Sequence, residues 1–277
     1  MTVSLLARSF RSTAIAAGVL SRAHRVGYVR DLLLVLVSRD MKLRYKRSIL
    51  GILWTLLNPL AQLLTLSFMF RTVLPLDIPR YTSFLFCGLL VWTWFQASLS
   101  QATVTIVENS ELIKRPGFPT AILPTVTVTS HLVHFLIALP VLWLFLALDG
   151  SRVTSAMLAL PLVMALQFIW TLSLAYLLAT FYVTFRDTQY LLGVVLQLLF
   201  YLTPVFYDAS AIPARYQLLY GLNPMVHLLN AYRAILLRGE LPEPLWSLLV
   251  LGLLAIGLLI FSYGHFTRVS YHFVEEV

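Results

Sequence analysis

A single cysteine, three lysines and twelve carboxylates are all that this sequence of 277 residues brings to thiol, phosphate-binding and acid–base chemistry. Cys87 has no second thiol to pair with, which excludes an intrachain disulfide and a multi-cysteine metal site. Its place in an apolar run reads as that of a small packing residue. None of Lys42, Lys46 and Lys114 follows a glycine, so the phosphate cradle G-x-x-x-x-G-K-[ST] is missing and the chain has no means of its own to use ATP. H-E-x-x-H, G-x-S-x-G and a D-x-D pair for a metal-bound nucleotide sugar are missing too, which leaves a membrane enzyme without a supporting motif. Every acidic residue sits at or beyond the end of an apolar stretch, so no carboxylate stands at a bilayer midplane to serve a proton or sodium relay.

What the chain has instead is apolar length. With 59% hydrophobic and 12% charged residues and a mean hydropathy of +0.84, it is an integral membrane protein. In that setting a net charge of +8 serves orientation and contact with anionic lipids, not nucleic acid. A helix needs about 20 apolar residues to cross a bilayer core. Six segments meet or nearly meet that test: residues 49–70, 81–107, 121–148, 153–185, 188–206 and 245–266. The expected fold is an all-α membrane domain of six transmembrane helices. Ten of the twenty Lys and Arg precede the first span, which places the N-terminus in the cytoplasm and, after six crossings, the C-terminus there as well.

Three regions fall outside the spans. Residues 1–27 read as a retained N-terminal cytoplasmic arm, because a weak apolar stretch is followed by Arg22 and Arg25 where a signal peptide has a small-residue cleavage site. Residues 28–277 form the single transmembrane domain. Within it the run from Leu32 to Val37, bracketed by Arg30-Asp31 and Arg39-Asp40, is too short to cross and predicts a helix lying in the interface. Residues 207–244, with four prolines, predict re-entrant or surface-lying helices on the outer side.

Several motifs carry two readings each. Between the second and third spans, residues 108–115 predict about two helical turns, Glu111 pairing with Lys114 and Arg115, stopped by Pro116-Gly117. That is a solvated connector, or, in a transporter without an internal energy source, the element on which a separate motor pushes. His131 and His134 share a helix face and read as helix–helix hydrogen-bonding groups, since the alternative of metal ligation lacks a nearby carboxylate or cysteine. Asn58-Pro59 interrupts the first span, either to shape a channel wall or as a tolerated proline in simple packing. Trp54, Trp92, Trp94, Phe95, Phe200, Tyr201, Phe206 and Tyr207 read as an aromatic belt at the bilayer surface; the alternative, flat faces along which sugar rings slide, comes only with a family resemblance.

"RDMKLRYKRSILGILWTLLNPL", "GLLVWTWFQASLSQATVTIVENSELIKRPGFP", "YLTPVFY" and "LNPMVHLLNAYRAILLRG", in that order and spacing, resemble the membrane subunits of type 2 ABC exporters. Within that group they are most similar to bacterial permeases for O-antigen, capsular polysaccharide or teichoic acid. The resemblance implies a homodimer in the inner membrane, binding no cofactor itself and driven by two copies of a cytoplasmic ABC ATPase subunit that hold ATP and Mg. The implied cargo is a polysaccharide on a polyprenyl pyrophosphate lipid. The family's interfacial gate helix maps onto residues 28–47, its coupling helix onto residues 108–115 and its outer re-entrant helices onto residues 209–238. Glu108, Ser110, Glu111, Lys114 and Arg115 are then the contacts to the ATPase, and Asn58 joins the eight aromatics as channel lining. Arg44, Lys46 and Arg47 either attract the carrier's pyrophosphate or only anchor the chain to anionic lipid. A permease for a drug, haem or lipid shares the same plan, and an enzyme acting on lipid-linked sugars is the alternative of another class.

Overall fold

The computed structural model describes residues 27–46, 48, 51–74, 76–151 and 154–276. The expectations for residues 1–26 and for Arg47 fall outside the described residues. The chain divides into two compact units, Met1–Arg44 and Tyr45–Val277. Among the described residues every regular element is helical.

Residues 27–45 form helix α1, which contains the predicted apolar run. Its face is mixed: Leu36 is buried while Leu34 and Val35 are exposed. Arg30 pairs with Asp31 at 3.2 Å, and Arg44 with Asp40 one turn back at 3.9 Å.

In the second unit, α2 is Trp54–Phe68, preceded by the tight turn Gly51–Leu53 and continued by a wide, π-type turn Met69–Val73. Then come α3 (Tyr81–Glu108), the single turn α4 (Ser110–Ile113), α5 (Ile122–Leu148), α6 (Leu160–Thr184) and α7 (Thr188–Leu202). They are followed by α8 (Gln217–Gly221), α9 (Pro224–Arg233), α10 (Leu245–Val269) and the short α11 (Phe273–Glu276). Among the described residues four stretches are long and apolar enough to cross a membrane: Tyr81–Glu108, Ile122–Leu148, Ser155–Thr184 and Leu245–His272. The two other expected spans are shorter helices. The fifth stops at Leu202 because Pro204 disfavours helical backbone at Thr203, which is extended. Pro59 stands inside α2 and withholds one donor from its hydrogen-bond ladder.

Helix α3 is the axis of the bundle, packing against α5 and α6, while α6 packs in turn against α10. The most apolar stretch of α3 is 78% buried, against 17% for α10. Small residues permit the approach: Ala102, Ala175, Ala179 and Ala255 are fully enclosed. Polar side chains tie the helices together. Gln167 donates from α6 to the Val91 carbonyl of α3 at 3.0 Å, and Ser173 donates to Ala255 of α10 at 3.2 Å.

The proline-rich region divides in two. Helix α9 starts with Asn223 accepting from the Met225 N–H at 3.0 Å and with Pro224 in its first turn. Met225, Leu228, Leu229 and Tyr232 are enclosed by the bundle, so the short helix keeps its backbone away from lipid. Helix α8 instead exposes Leu218 and Leu219.

Candidate functional site

A groove of about 550 Å³ runs between α2, α3 and α7. Helix α2 contributes Gln62 and Thr65, α3 contributes Trp92 and Gln96, and α7 contributes Gly193, Gln197, Phe200 and Tyr201. Helical spacing accounts for the lining. Asn58, Gln62 and Thr65 are one exposed stripe of α2, Gln96 and Ser100 one of α3, and Gln189, Gly193 and Gln197 one of α7. An amide in a membrane-crossing segment is costly against hydrocarbon, so in α3, which is long and apolar enough to cross, the exposed Gln96 marks a face turned toward water or toward protein. Trp92 donates its indole N–H to the Gln96 side-chain oxygen at 2.8 Å, which fixes that amide and leaves its nitrogen as the outward donor.

At one end the groove meets an aromatic chain. Trp92 lies 5.8 Å from Phe200, Phe200 lies 5.8 Å from Phe206, and Phe206 stacks on Phe70 of the wide turn after α2 at 5.2 Å. Tyr207 is held beside them, donating to the Tyr201 carbonyl at 3.1 Å. Of the nine positions the sequence proposes as channel lining, Trp92, Phe200 and Tyr201 line the groove and Phe206 and Tyr207 belong to this aromatic chain. Asn58 lies on the α2 stripe, and Trp54 is 57% exposed at the start of α2. Trp94 and Phe95 are buried, Trp94 against Phe135 of α5 at 5.1 Å. The glutamines escape a search for aromatics, although their four-residue spacing with asparagine and glycine in apolar helices is present in the sequence.

The segment joining α7 to α8 and α9 is fixed by a buried cation. Arg233, 3% exposed, donates to the Pro204 and Val205 carbonyls, each at 2.7 Å, and Tyr81 donates to the Phe206 carbonyl at 3.0 Å. Gly88 makes this possible, since a Cβ there would stand 2.5 Å from the Val205 oxygen. From the sequence Arg233 reads only as one of several outer cations.

The connection between α3 and α5 corrects the expected two-turn helix. Asn109 breaks it, its amide donating back to the Thr105 carbonyl at 2.8 Å, and only the one turn of α4 follows. Gly117, with φ +78°, lies in the turn before α5. Glu108, Glu111, Lys114 and Arg115 are exposed and Ser110 half-buried, while Ile113 is buried and α11 packs beside α4. Among the described residues no ion pair joins Glu111 to Lys114 or Arg115, because exposed charges in water gain little by pairing.

The two histidines do bond between elements. His131 of α5 meets Gln101 of α3 at 2.9 Å, and His134 meets the Tyr45 hydroxyl at 3.1 Å. Of the proposed pyrophosphate ligands, Arg44 has Asp40 as an ion-pair partner and Lys46 is exposed.

Comparison with known proteins bears on this arrangement. The sequence pattern of the ABC-2 type transporter family matches residues 31–237. An O-antigen export system permease protein RfbA of Myxococcus xanthus is 39% identical over 223 residues, 79% of this chain and 86% of the relative. An RfbA of Klebsiella pneumoniae is 32% identical over 260 residues, 92% of this chain and 98% of the relative. The polysialic acid transport protein KpsM of Escherichia coli is 24% identical over 214 residues, 75% and 82% respectively.

Proposed function

The chain belongs to the ABC-2 type transporter family, and from that premise we propose that it is the permease subunit of an ABC exporter for an O-antigen-like polysaccharide. The names of its relatives support this cargo. The observation that carries the reading is the groove: amides on α2, α3 and α7 converge, beside aromatic faces, on one side of helices that are otherwise apolar. A polymer of hydroxyls and ring faces needs such a wall, whereas an apolar drug, haem or lipid does not.

The remaining parts follow from that reading. Helix α2 with its flanking turns and α7 complete six crossings, and the outer helices of residues 209–238 re-enter without crossing. A second copy faces the open side of the groove, so that a homodimer encloses the passage. Both termini lie in the cytoplasm of the bacterial inner membrane, in keeping with the cations ahead of α2. The chain has no phosphate cradle, so two copies of an ATPase subunit, holding ATP and Mg, push on α4 through Glu108, Ser110, Glu111, Lys114 and Arg115. Arg44, Lys46 and Arg47 meet the pyrophosphate of the polyprenyl carrier.

Deleting the gene in its native host tests the reading. The surface polysaccharide should disappear while its lipid-linked form accumulates inside the cell, and both should be restored by the intact gene. A deletion strain with normal surface polysaccharide would overturn it.

A further inference from the structure

None of the ten described residues that line the groove carries a charge. Its polar capacity is supplied by three primary amides, the hydroxyls of Thr65 and Tyr201 and the Trp92 indole N–H. The Thr65 hydroxyl donates to its own helix at the Ala61 carbonyl, 3.0 Å away, and the Trp92 N–H donates to Gln96, which leaves the amides and the Tyr201 hydroxyl as the principal hydrogen-bonding groups. An amide both donates and accepts, as a sugar hydroxyl does, so Gln62, Gln96 and Gln197 match a neutral saccharide in either sense of each hydrogen bond.

An acidic sugar meets a different environment. A carboxylate in a passage walled by apolar helices loses water and needs a cation in exchange. Arg233 cannot serve, because it is 3% exposed and its guanidinium already holds the Pro204 and Val205 carbonyls. The groove therefore offers an acidic sugar only neutral donors, the amide N–H groups and the Tyr201 hydroxyl, of which the Gln96 nitrogen is the best oriented.

We propose that this groove is a contact site for uncharged glycan, with Gln62, Gln96 and Gln197 as the residues that bond its hydroxyls and with the missing charge as the feature that disfavours acidic glycan. The inference rests on the export reading above and adds the chemical class of the cargo. It assigns to three glutamines a specificity role distinct from that of the aromatic surfaces.

The test uses the full chain in lipid nanodiscs and saturation-transfer NMR, which detects weak binding of free oligosaccharides. The probes are maltohexaose, which is neutral, and a hexamer of α2,8-linked sialic acid. Maltohexaose should receive saturation and the sialic acid hexamer should not. Each of Gln62→Leu, Gln96→Leu and Gln197→Leu should weaken maltohexaose binding by about fivefold, the loss of one net hydrogen bond. Gln197→Lys, which supplies the missing cation, should bring the acidic probe into contact. Equal transfer to both probes, no transfer to maltohexaose, leucine variants that bind as the parent does, or a folded Gln197→Lys that still ignores the acidic probe would each overturn the assignment. Gene deletion tests the export reading separately. A chain whose loss abolishes surface glycan but whose groove fails these measurements refutes the neutral-glycan assignment alone.

Discussion

The guanidinium carbon of Arg233 lies 3.6 Å from the centroid of the Phe84 ring. A buried cation is usually met by a carboxylate, but this one is met by an aromatic face and by the Pro204 and Val205 carbonyls. Its role is to hold the non-helical segment that leads from α7 to Phe206, and with it that end of the aromatic chain. Arg233→Met leaves both carbonyls without their donor and should cost on the order of 3 kcal/mol. Arg233→Lys should recover part of this, since an ammonium lacks the planar fork that serves two oxygens. Thermal unfolding of the purified protein reads both, and a neutral Arg233→Met would show that the clamp is unimportant.

Two glycines separate packing from passage. At Gly88 a Cβ would meet the Val205 oxygen at 2.5 Å and an Arg233 nitrogen at 2.9 Å, and a backbone carbonyl does not yield cheaply. Gly88→Ala should destabilise by about 2 kcal/mol. At Gly193, which lines the groove, nothing lies within 4 Å. Gly193→Ala should stabilise α7 by up to about 1 kcal/mol while slowing export by narrowing the passage. Unfolding midpoints and pulse-chase of surface polysaccharide distinguish the two outcomes.

Charge reversal at Glu111, Lys114 and Arg115 should leave stability within about 0.5 kcal/mol, because all three are exposed. It should nevertheless abolish copurification with the ATPase subunit. Retained copurification would return α4 to the role of a simple connector.

Neutralising Arg44, Lys46 and Arg47 together should remove stimulation of the assembled complex's ATPase by lipid-linked glycan, with the fold intact. Asp40→Asn provides the converse, since it releases Arg44 from its 3.9 Å ion pair and should strengthen that stimulation. Unchanged stimulation in the triple variant leaves these cations as lipid anchors.

Asp208, between α7 and α8, is pulled in opposing directions. Partial burial pushes its carboxyl up, but hydrogen bonds from Ser210 and the charges of Arg233 and Arg238 outweigh burial and hold it below the ordinary carboxylate value. A lowered folded-state pKa contributes stability above the unfolded value, about 3.9, and loses it as pH falls through the folded value. The stability advantage of the parent over Asp208→Asn should therefore be full at neutral pH and vanish in strong acid. An advantage that grows on acidification would contradict the assigned direction.

What the sequence determined by itself is what local composition controls. Its apolar length sets the chain in a membrane, and helical periodicity makes it all-α. The lack of a phosphate cradle is legible there too, and with it the expectation of a separate ATPase. Pro116-Gly117 punctuates the connection between α4 and α5, since turn chemistry acts within a few residues. The bond between His131 and Gln101 was legible as a type of contact but not as a partner.

Tertiary structure decided which faces meet. Gln62, Gln96 and Gln197 each lie on a helix whose own stripe is readable, yet nothing in a single helix states that α2, α3 and α7 turn those stripes toward one groove. Arg233 reads as an outer cation until α9 is packed against α3, when Gly88 opens the space and the carbonyls after α7 become its partners. Proximity across long chain separations arises from packing, and packing is a property of all the helices together.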